Sequence, residues 1–458
     1  MATHVIIGAG LGGLYEATRL LNLGVNAKNI VIIEKRPENN YTRPGHLNHE
    51  TFEIVSYNTG IETPHSEAHH IKELERELYR NLKDLKVSFI DEEFIGLQAE
   101  TETKVKGVIT LKKDNSFGVY PADYVFDCSG RKAAVVQAVN EYQQSINAGP
   151  VFETQSLVAI NPIPDHIVAH VIIPNNDSLL TYVPIQDTSM PLNVQRSSLQ
   201  RNIEIREKLL ALGWYYETFP TFYTYSQGSK VCLYMEAPAN LDQNQQRDWM
   251  KLLLDIYSDG KINDYTELKP SRKYGVKPRI VGFQSIPYVL NKVIHESKCL
   301  PTVIVGFDAL KGFDYRLAHG VNSGITCFEH VIQNITVKDG SIQSIDALAI
   351  ENKTFEFING QYKESLTSML RGREKCISSG IDYFSDIYEK AATTLPNLNE
   401  DKKNEYQLIA GNLAYKGVKE QFSQIATRER SPVLSLEALN IYWLVNKSSQ
   451  YDASYFYK

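Results

Sequence analysis

Short apolar runs alternate with helically spaced apolar positions along the first third of the chain. His4–Gly8 reads as a strand; Leu14, Ala17, Leu20 and Leu21 then fall at helical spacing between Gly12 and Gly24, and Ile30–Glu34 reads as a second strand. Ser66–Leu85 predicts a helix with Ile71, Leu74, Leu78 and Leu82 on one face, and Lys86–Ile90 and Tyr124–Phe126 predict further strands. This rhythm is that of a parallel sheet. From about 150 to 290 β-branched and aromatic residues dominate, punctuated by Pro162, Pro164, Pro174, Pro184 and Pro191. Strands such as Ala169–Ile173 and Lys230–Met235 predict a mostly antiparallel sheet, interrupted by a helix around Arg201–Leu212. Thr302–Gly306 returns to a buried-strand pattern and leads to the helix Gly320–Ile335; beyond about 350 the pattern is helical, with turns near Pro396-Asn397 and Ser431-Pro432. The expected division is therefore 1–150, 151–295, 296–345 and 346–458, the first and third stretches forming one α/β domain.

Gly8-Ala9-Gly10-Leu11-Gly12-Gly13 follows the first strand directly and opens the first helix, in the G-x-G-x-x-G spacing of a Rossmann-like dinucleotide turn. Gly8 permits the tight turn, Gly10 lets backbone approach a pyrophosphate, and Gly13 lets helix and strand pack closely. The helix N-terminus offers amides and partial positive charge to phosphate. Glu34, ending the second strand, is placed to accept hydrogen bonds from ribose hydroxyls and to repel a 2′-phosphate, which favours FAD or NAD over NADP at this site.

A second anion-directed feature lies downstream. Asp308-Ala309-Leu310-Lys311, Tyr315 and Gly320-Val321-Asn322-Ser323-Gly324 follow a buried strand and open a long helix. Amides and dipole at such a helix start suit the negative charge of a reduced flavin, and Asp308 is placed to accept a hydrogen bond from a ribityl chain. With these residues in view, the chain resembles the class A flavoprotein monooxygenases of the para-hydroxybenzoate hydroxylase fold, and among them most the MICAL oxidase domain. The resemblance is carried by Gly8–Gly13 with Glu34-Lys35-Arg36 and Arg43, and by Ile71-Lys72-Glu73-Leu74-Glu75 with Glu93-Phe94-Ile95-Gly96-Leu97. It continues at Asp127-Cys128-Ser129-Gly130-Arg131, standing where the family has its "DG" motif, and at Asp308–Gly324, standing for its "GD" motif. Ser129 replaces the DG aspartate, as in the D-x-x-G-R variant of flavin halogenases and related reductases. Phe307 stands where the GD glycine is expected, Tyr315 replaces a proline, and Ala318 a glycine.

The resemblance implies a FAD-binding domain of the glutathione-reductase type, an inserted substrate sheet and a helical C-terminal region. It implies that Gly8, Gly10, Leu11, Gly12, Gly13, Glu34, Lys35, Arg36, Arg43, Ser129, Gly130, Asp308, Gly320, Val321 and Asn322 hold FAD. It further implies that NADPH or NADH serves as co-substrate and that a flavin C4a-hydroperoxide oxygenates a small molecule or a protein side chain. No second G-x-G-x-x-G occurs, in keeping with a fold that lacks a nicotinamide domain, and no catalytic side chain is assigned. A reductase, dehydrogenase or halogenase of the same fold stays open, as does a flavin-fold interaction module with little catalysis. The Baeyer–Villiger F-x-G-x-x-x-H and halogenase W-x-W-x-I-P patterns are absent.

Composition narrows the field. The 458 residues carry 48 basic and 54 acidic side chains for a net charge of −6, with no long basic run to suggest nucleic acid. Cys128, Cys232, Cys299, Cys327 and Cys376 form no C-x-x-C, and His46, His49, His69 and His70 form no metal-ligand spacing, so no metal is expected. No apolar stretch is long enough to span a bilayer and no leader pattern opens the chain, so a cytoplasmic protein is expected. Three features have two readings each. Trp214, Tyr215, Tyr216, Phe219, Phe222, Tyr223 and Tyr225 line an aromatic pocket or pack as core. Lys72 and Glu75 approach the cofactor or form a solvated ion pair. The tyrosine-rich tail from Tyr442 to Tyr457 docks on the body or, with the C-terminal helices, meets a protein partner.

Overall fold

Strand β1 (His4–Ile7) is buried throughout, as a parallel strand covered on both faces must be. The chain turns through Gly8–Gly10 into helix α1 (Leu11–Asn22), which buries Leu14, Ala17 and Leu20, and returns as β2 (Ile30–Ile33), parallel to β1 with Ile6 opposite Ile32. The computed structural model describes residues 3–36, 47–62, 70–156, 163–183, 190–268, 279–317 and 319–429. Helix α2 (His49–Thr59) starts where the Asn48 side chain accepts the Thr51 amide and ends at Gly60 in the left-handed region. Helix α3 (Ile71–Asp84) buries Leu74, Leu78 and Leu82, the expected face, and begins within the expected Ser66–Leu85 span. Lys86, at φ 65°, turns the chain into β3 (Ser88–Ile90), parallel to β2. An antiparallel meander of β4 (Glu93–Gln98), β5 (Gly107–Leu111) and β6 (Phe117–Pro121) leads to β7 (Tyr124–Asp127), parallel to β1. Helix α4 (Ala134–Ser145) and β8 (Thr154–Ser156) complete this stretch.

The next stretch is antiparallel, as its composition predicts. It comprises β9 (Asp165–Ile172), helices α5 (Leu192–Arg196) and α6 (Leu199–Ala211), and the hairpin β10 (Phe222–Gln227) and β11 (Lys230–Glu236). Helix α7 (Gln243–Tyr257), β12 (Thr266–Glu267) and β13 (Ile280–Gln284) follow. Strands run in the order β10-β11-β9-β12, with β13 also on β9. Residue alternation sends Ala169, Val171, Phe222, Leu233 and Met235 to one buried face, against Trp214 and Trp249.

The chain then re-enters the first architecture. β14 (Tyr288–Leu290) pairs with β8, and β15 (Ile294–His295) runs antiparallel to β16 (Thr302–Val305), which lies parallel to β7. Short α8 (Phe307–Leu310) and β17 (Lys311–Gly312) precede α9 (Gly320–Ile332) and the hairpin β18 (Ile335–Lys338) and β19 (Ser341–Ile345). The main sheet has the order β15-β16-β7-β1-β2-β3. Helices α10 (Ala347–Thr394) and α11 (Glu400–Glu429) close the described chain, broken near the expected turn at Pro396. Phe384, Ile387, Tyr388, Tyr406 and Ala410 from these helices join the core around Trp214 and Trp249. Two compact units result: Met1–Val158 with Ile286–Gln361, and Ala159–Ser285 with the chain from Tyr362 onward.

Candidate functional site

The residues singled out in the first unit gather at the carboxyl ends of β1, β2, β7 and β16, the edge where parallel α/β sheets place ligands. Gly8 holds φ +105°, and a β-carbon there would collide with the Cys128 carbonyl. A β-carbon on Gly13 would strike the Gly8 carbonyl, so this glycine seats the helix on the strand. Gly10 differs: among the described residues the only atom within 4 Å of where its β-carbon would stand is Oε1 of Glu75, at 3.8 Å. Gly10 caps α1 without a side chain, and the Leu14 amide is the first to bond back, to the Gly10 carbonyl. The amides of Leu11, Gly12 and Gly13 thus lack acceptors within the helix, at its positive end.

Carboxylates meet this turn from two sides. Glu34 Oε2 accepts the Ala9 amide at 3.0 Å and Arg36 Nη2 at 2.7 Å, while Oε1 accepts the Arg36 amide at 2.9 Å. Burial alone would raise the Glu34 carboxyl, but the Arg36 charge and these donors together hold it below its ordinary value. Glu75 is fully buried, and its Oε1 accepts the Leu11 amide at 3.1 Å. Glu75 is wholly buried, so the reading of a solvated ion pair with Lys72 does not describe it. Lys35 points elsewhere, its Nζ donating to Glu93 Oε1 at 2.6 Å with both side chains about half exposed. Arg43 lies outside the described residues.

The second rim is built from β7, β16 and α9. Asp127, fully buried, accepts the amides of Ser129, Val135 and Val136 and the Ser129 hydroxyl. Ser129 Oγ in turn accepts the Ala134 amide at 2.7 Å, so both groups fasten the loop to the start of α4. Gly130 holds φ +75°, and no atom of the described residues lies within 4 Å of where a β-carbon would stand. Across from it Tyr288 donates its hydroxyl to the Asp308 carbonyl, under the Arg131 guanidinium at 5.5 Å from the ring. Phe307 adopts φ 50°, and its ring fills the space between Gly12 of α1 and Gly324 of α9. Asn322, beside Gly320 and Val321 in the first turn of α9, accepts the Thr51 hydroxyl at 2.6 Å and so links that turn to α2. Lys311 is buried, donates to Ser323 Oγ and lies 4.1 Å from the Phe313 ring centre; burial pulls its ammonium down to about 8.

Two further features were not picked out from the sequence. Glu16 lies wholly inside, its Oε2 accepting the Cys128 thiol at 2.8 Å and its Oε1 without a partner among the described residues; burial pushes its carboxyl up to about 8. Asp314 and Arg316 form a buried ion pair, Nε to Oδ1 at 2.8 Å, in the loop before α9. Glu75, singled out with Lys72 from the sequence, shares the buried helical face of Leu78 and Leu82.

The aromatic cluster of the second unit divides. Trp214, Phe219 and Phe222 are core, Tyr215 and Tyr216 are exposed, and Tyr223 and Tyr225 stand on the opposite sheet face from Phe222, their hydroxyls 3.1 Å apart. His49 is exposed beside Glu53, His70 caps α3, and His46 and His69 lie outside the described residues. Among the described residues no group of three or more histidine, cysteine or acidic side chains is arranged to hold a metal, and no helix is long and apolar enough to cross a membrane.

No family model and no curated protein matches the chain. Solved structures do. The chain is similar to CabE, an aromatic hydroxylase from angucycline biosynthesis, at 13% identity and TM-score 0.50, over 90% of this chain and 76% of that one. It is equally similar to the myxobacterial chondrochloren halogenase CndH, a variant of the FAD-dependent halogenases, at 13% identity and TM-score 0.50, over 90% of each chain. At such identity the likeness is one of fold.

Proposed function

We propose that the first unit binds FAD along the carboxyl edge of its parallel strands, and that the protein is a flavin-dependent oxidoreductase working as an NADH- or NADPH- and O2-dependent monooxygenase. The observation that carries this reading is the turn at Gly10, open at the positive end of α1 with the Glu34 carboxylate one amide away. The amides of Leu11–Gly13 would take the pyrophosphate and Glu34 the adenosine ribose. Asp308 would take the ribityl chain, and the first turn of α9, Gly320–Asn322, the electron-rich edge of the flavin. The sheet order supports the glutathione-reductase type of nucleotide fold. The likeness to the MICAL oxidase domain rests on the sequence motifs alone.

Bound FAD would supply hydride acceptance from the nicotinamide and reaction with O2. The chain's own part is to hold and orient: Phe307 wedges α1 against α9, while Asp127 and Ser129 fix the loop carrying Gly130. The substrate would be a small molecule or a protein side chain. A halogenase or reductase is the second reading, favoured by Ser129-Gly130-Arg131 in place of the hydroxylase DG sequence. FAD-reconstituted protein is expected to oxidise NADH or NADPH in air. Isotopic oxygen entering a product from labelled O2 assigns the monooxygenase, a halide-dependent product assigns the halogenase, and absence of nicotinamide oxidation contradicts the oxidoreductase reading.

A further inference from the structure

Two of the amides at the glycine turn are already committed to the protein's own carboxylates. Ala9 donates to Glu34 and Leu11 donates to Glu75. Glu34 stands at the ribose end of the turn, whereas Glu75 reaches the helix terminus itself. Its Oε1 is both the acceptor for Leu11, at 3.1 Å, and, among the described residues, the one atom near the open side of Gly10, at 3.8 Å. The helix terminus favours an anion, and the wholly buried Glu75 carboxyl accepts one of its amides.

From this geometry we infer that Glu75 is a built-in stand-in for phosphate: it satisfies α1 in the cofactor-free protein and lowers dinucleotide affinity by opposing the pyrophosphate at the Leu11 amide. The inference rests on the FAD reading. A pyrophosphate entering over Gly10 meets a carboxylate of like charge already bonded to the donor it needs. It must therefore displace Glu75 from Leu11 or share the terminus with it, and either course weakens binding.

Glu75→Gln tests this, because the amide keeps the acceptor oxygen and the size of the side chain but removes its charge. Binding is measured by titrating purified cofactor-free protein with FAD, with ADP and with adenosine. The variant is expected to bind FAD and ADP at least about fivefold more tightly than wild type, and adenosine with unchanged affinity, since adenosine has no phosphate to repel. Glu75→Ala, which removes charge and acceptor together, is expected to shift FAD and ADP the same way. Equal or weaker binding of FAD and ADP by folded variants overturns the inference, as does an equal gain for adenosine. Failure of both variants to fold would mark Glu75 as purely structural and likewise overturn it. Wild-type protein and variants that bind neither FAD nor ADP would remove the FAD reading itself, whereas FAD binding that ignores Glu75 removes only this inference.

Discussion

The ring of Phe307 lies so close to Gly12 that a β-carbon on that glycine would stand 2.7 Å from its Cγ. The same ring would meet a β-carbon on Gly324 at 2.5 Å. Helices α1 and α9 are therefore locked through one aromatic residue held in the left-handed region. Overpacking of this kind costs about 1–3 kcal/mol. Gly12→Ala and Gly324→Ala are expected to lose stability of that order in urea unfolding, whereas Gly10→Ala, which meets among the described residues only a contact at 3.8 Å, is expected to unfold like wild type.

Glu16 predicts a pH dependence. Its carboxyl sits near 8 in the folded chain, against 4.5 when unperturbed, because burial disfavours its charge. The folded state thus holds the proton more tightly than the unfolded state, and the sign follows: this contribution to stability is complete below about pH 4.5 and is lost as pH rises toward about 8. Glu16→Gln, neutral at every pH, is expected to flatten the decline in unfolding free energy between pH 5 and pH 9. A decline unchanged in the variant would place its origin elsewhere.

The Asp314–Arg316 pair supports the loop that enters α9, with side-chain exposures of 0% and 2%. Removing one partner strands a buried charge, which typically costs about 3–5 kcal/mol. Arg316→Met is expected to destabilise the protein by this amount, read as a lowered urea midpoint. The double change Asp314→Asn with Arg316→Met should recover part of the loss.

Much of this architecture was legible because it is written in local pattern. The run Val5-Ile6-Ile7 before Gly8, and the apolar spacing after it, can form little but strand, turn and helix. Helix α7 escaped notice because Met250, Leu252, Leu253, Leu254, Ile256 and Tyr257 are all buried, so an almost continuous apolar run replaces any helical period. The division of the aromatic cluster needed the strand register, since Phe222 and Tyr223 are neighbours in sequence and face opposite ways. Glu75 and Leu11 lie 64 positions apart, and their meeting depends on how α3 packs beside α1. The groups that fill the turn were thus visible as residue types, but not their pairing.

The central claim is that Gly10 opens the head of α1 to the phosphates of FAD. Its most direct measurement is flavin content and affinity in wild type and Gly10→Ala, alongside their urea unfolding curves. The account predicts that wild type binds FAD in near one-to-one ratio, and that the alanine variant loses at least about tenfold in affinity, or about 1.4 kcal/mol, with stability unchanged. A wild-type chain that takes up no flavin, or a Gly10→Ala chain that binds it as well as wild type does, would contradict the claim.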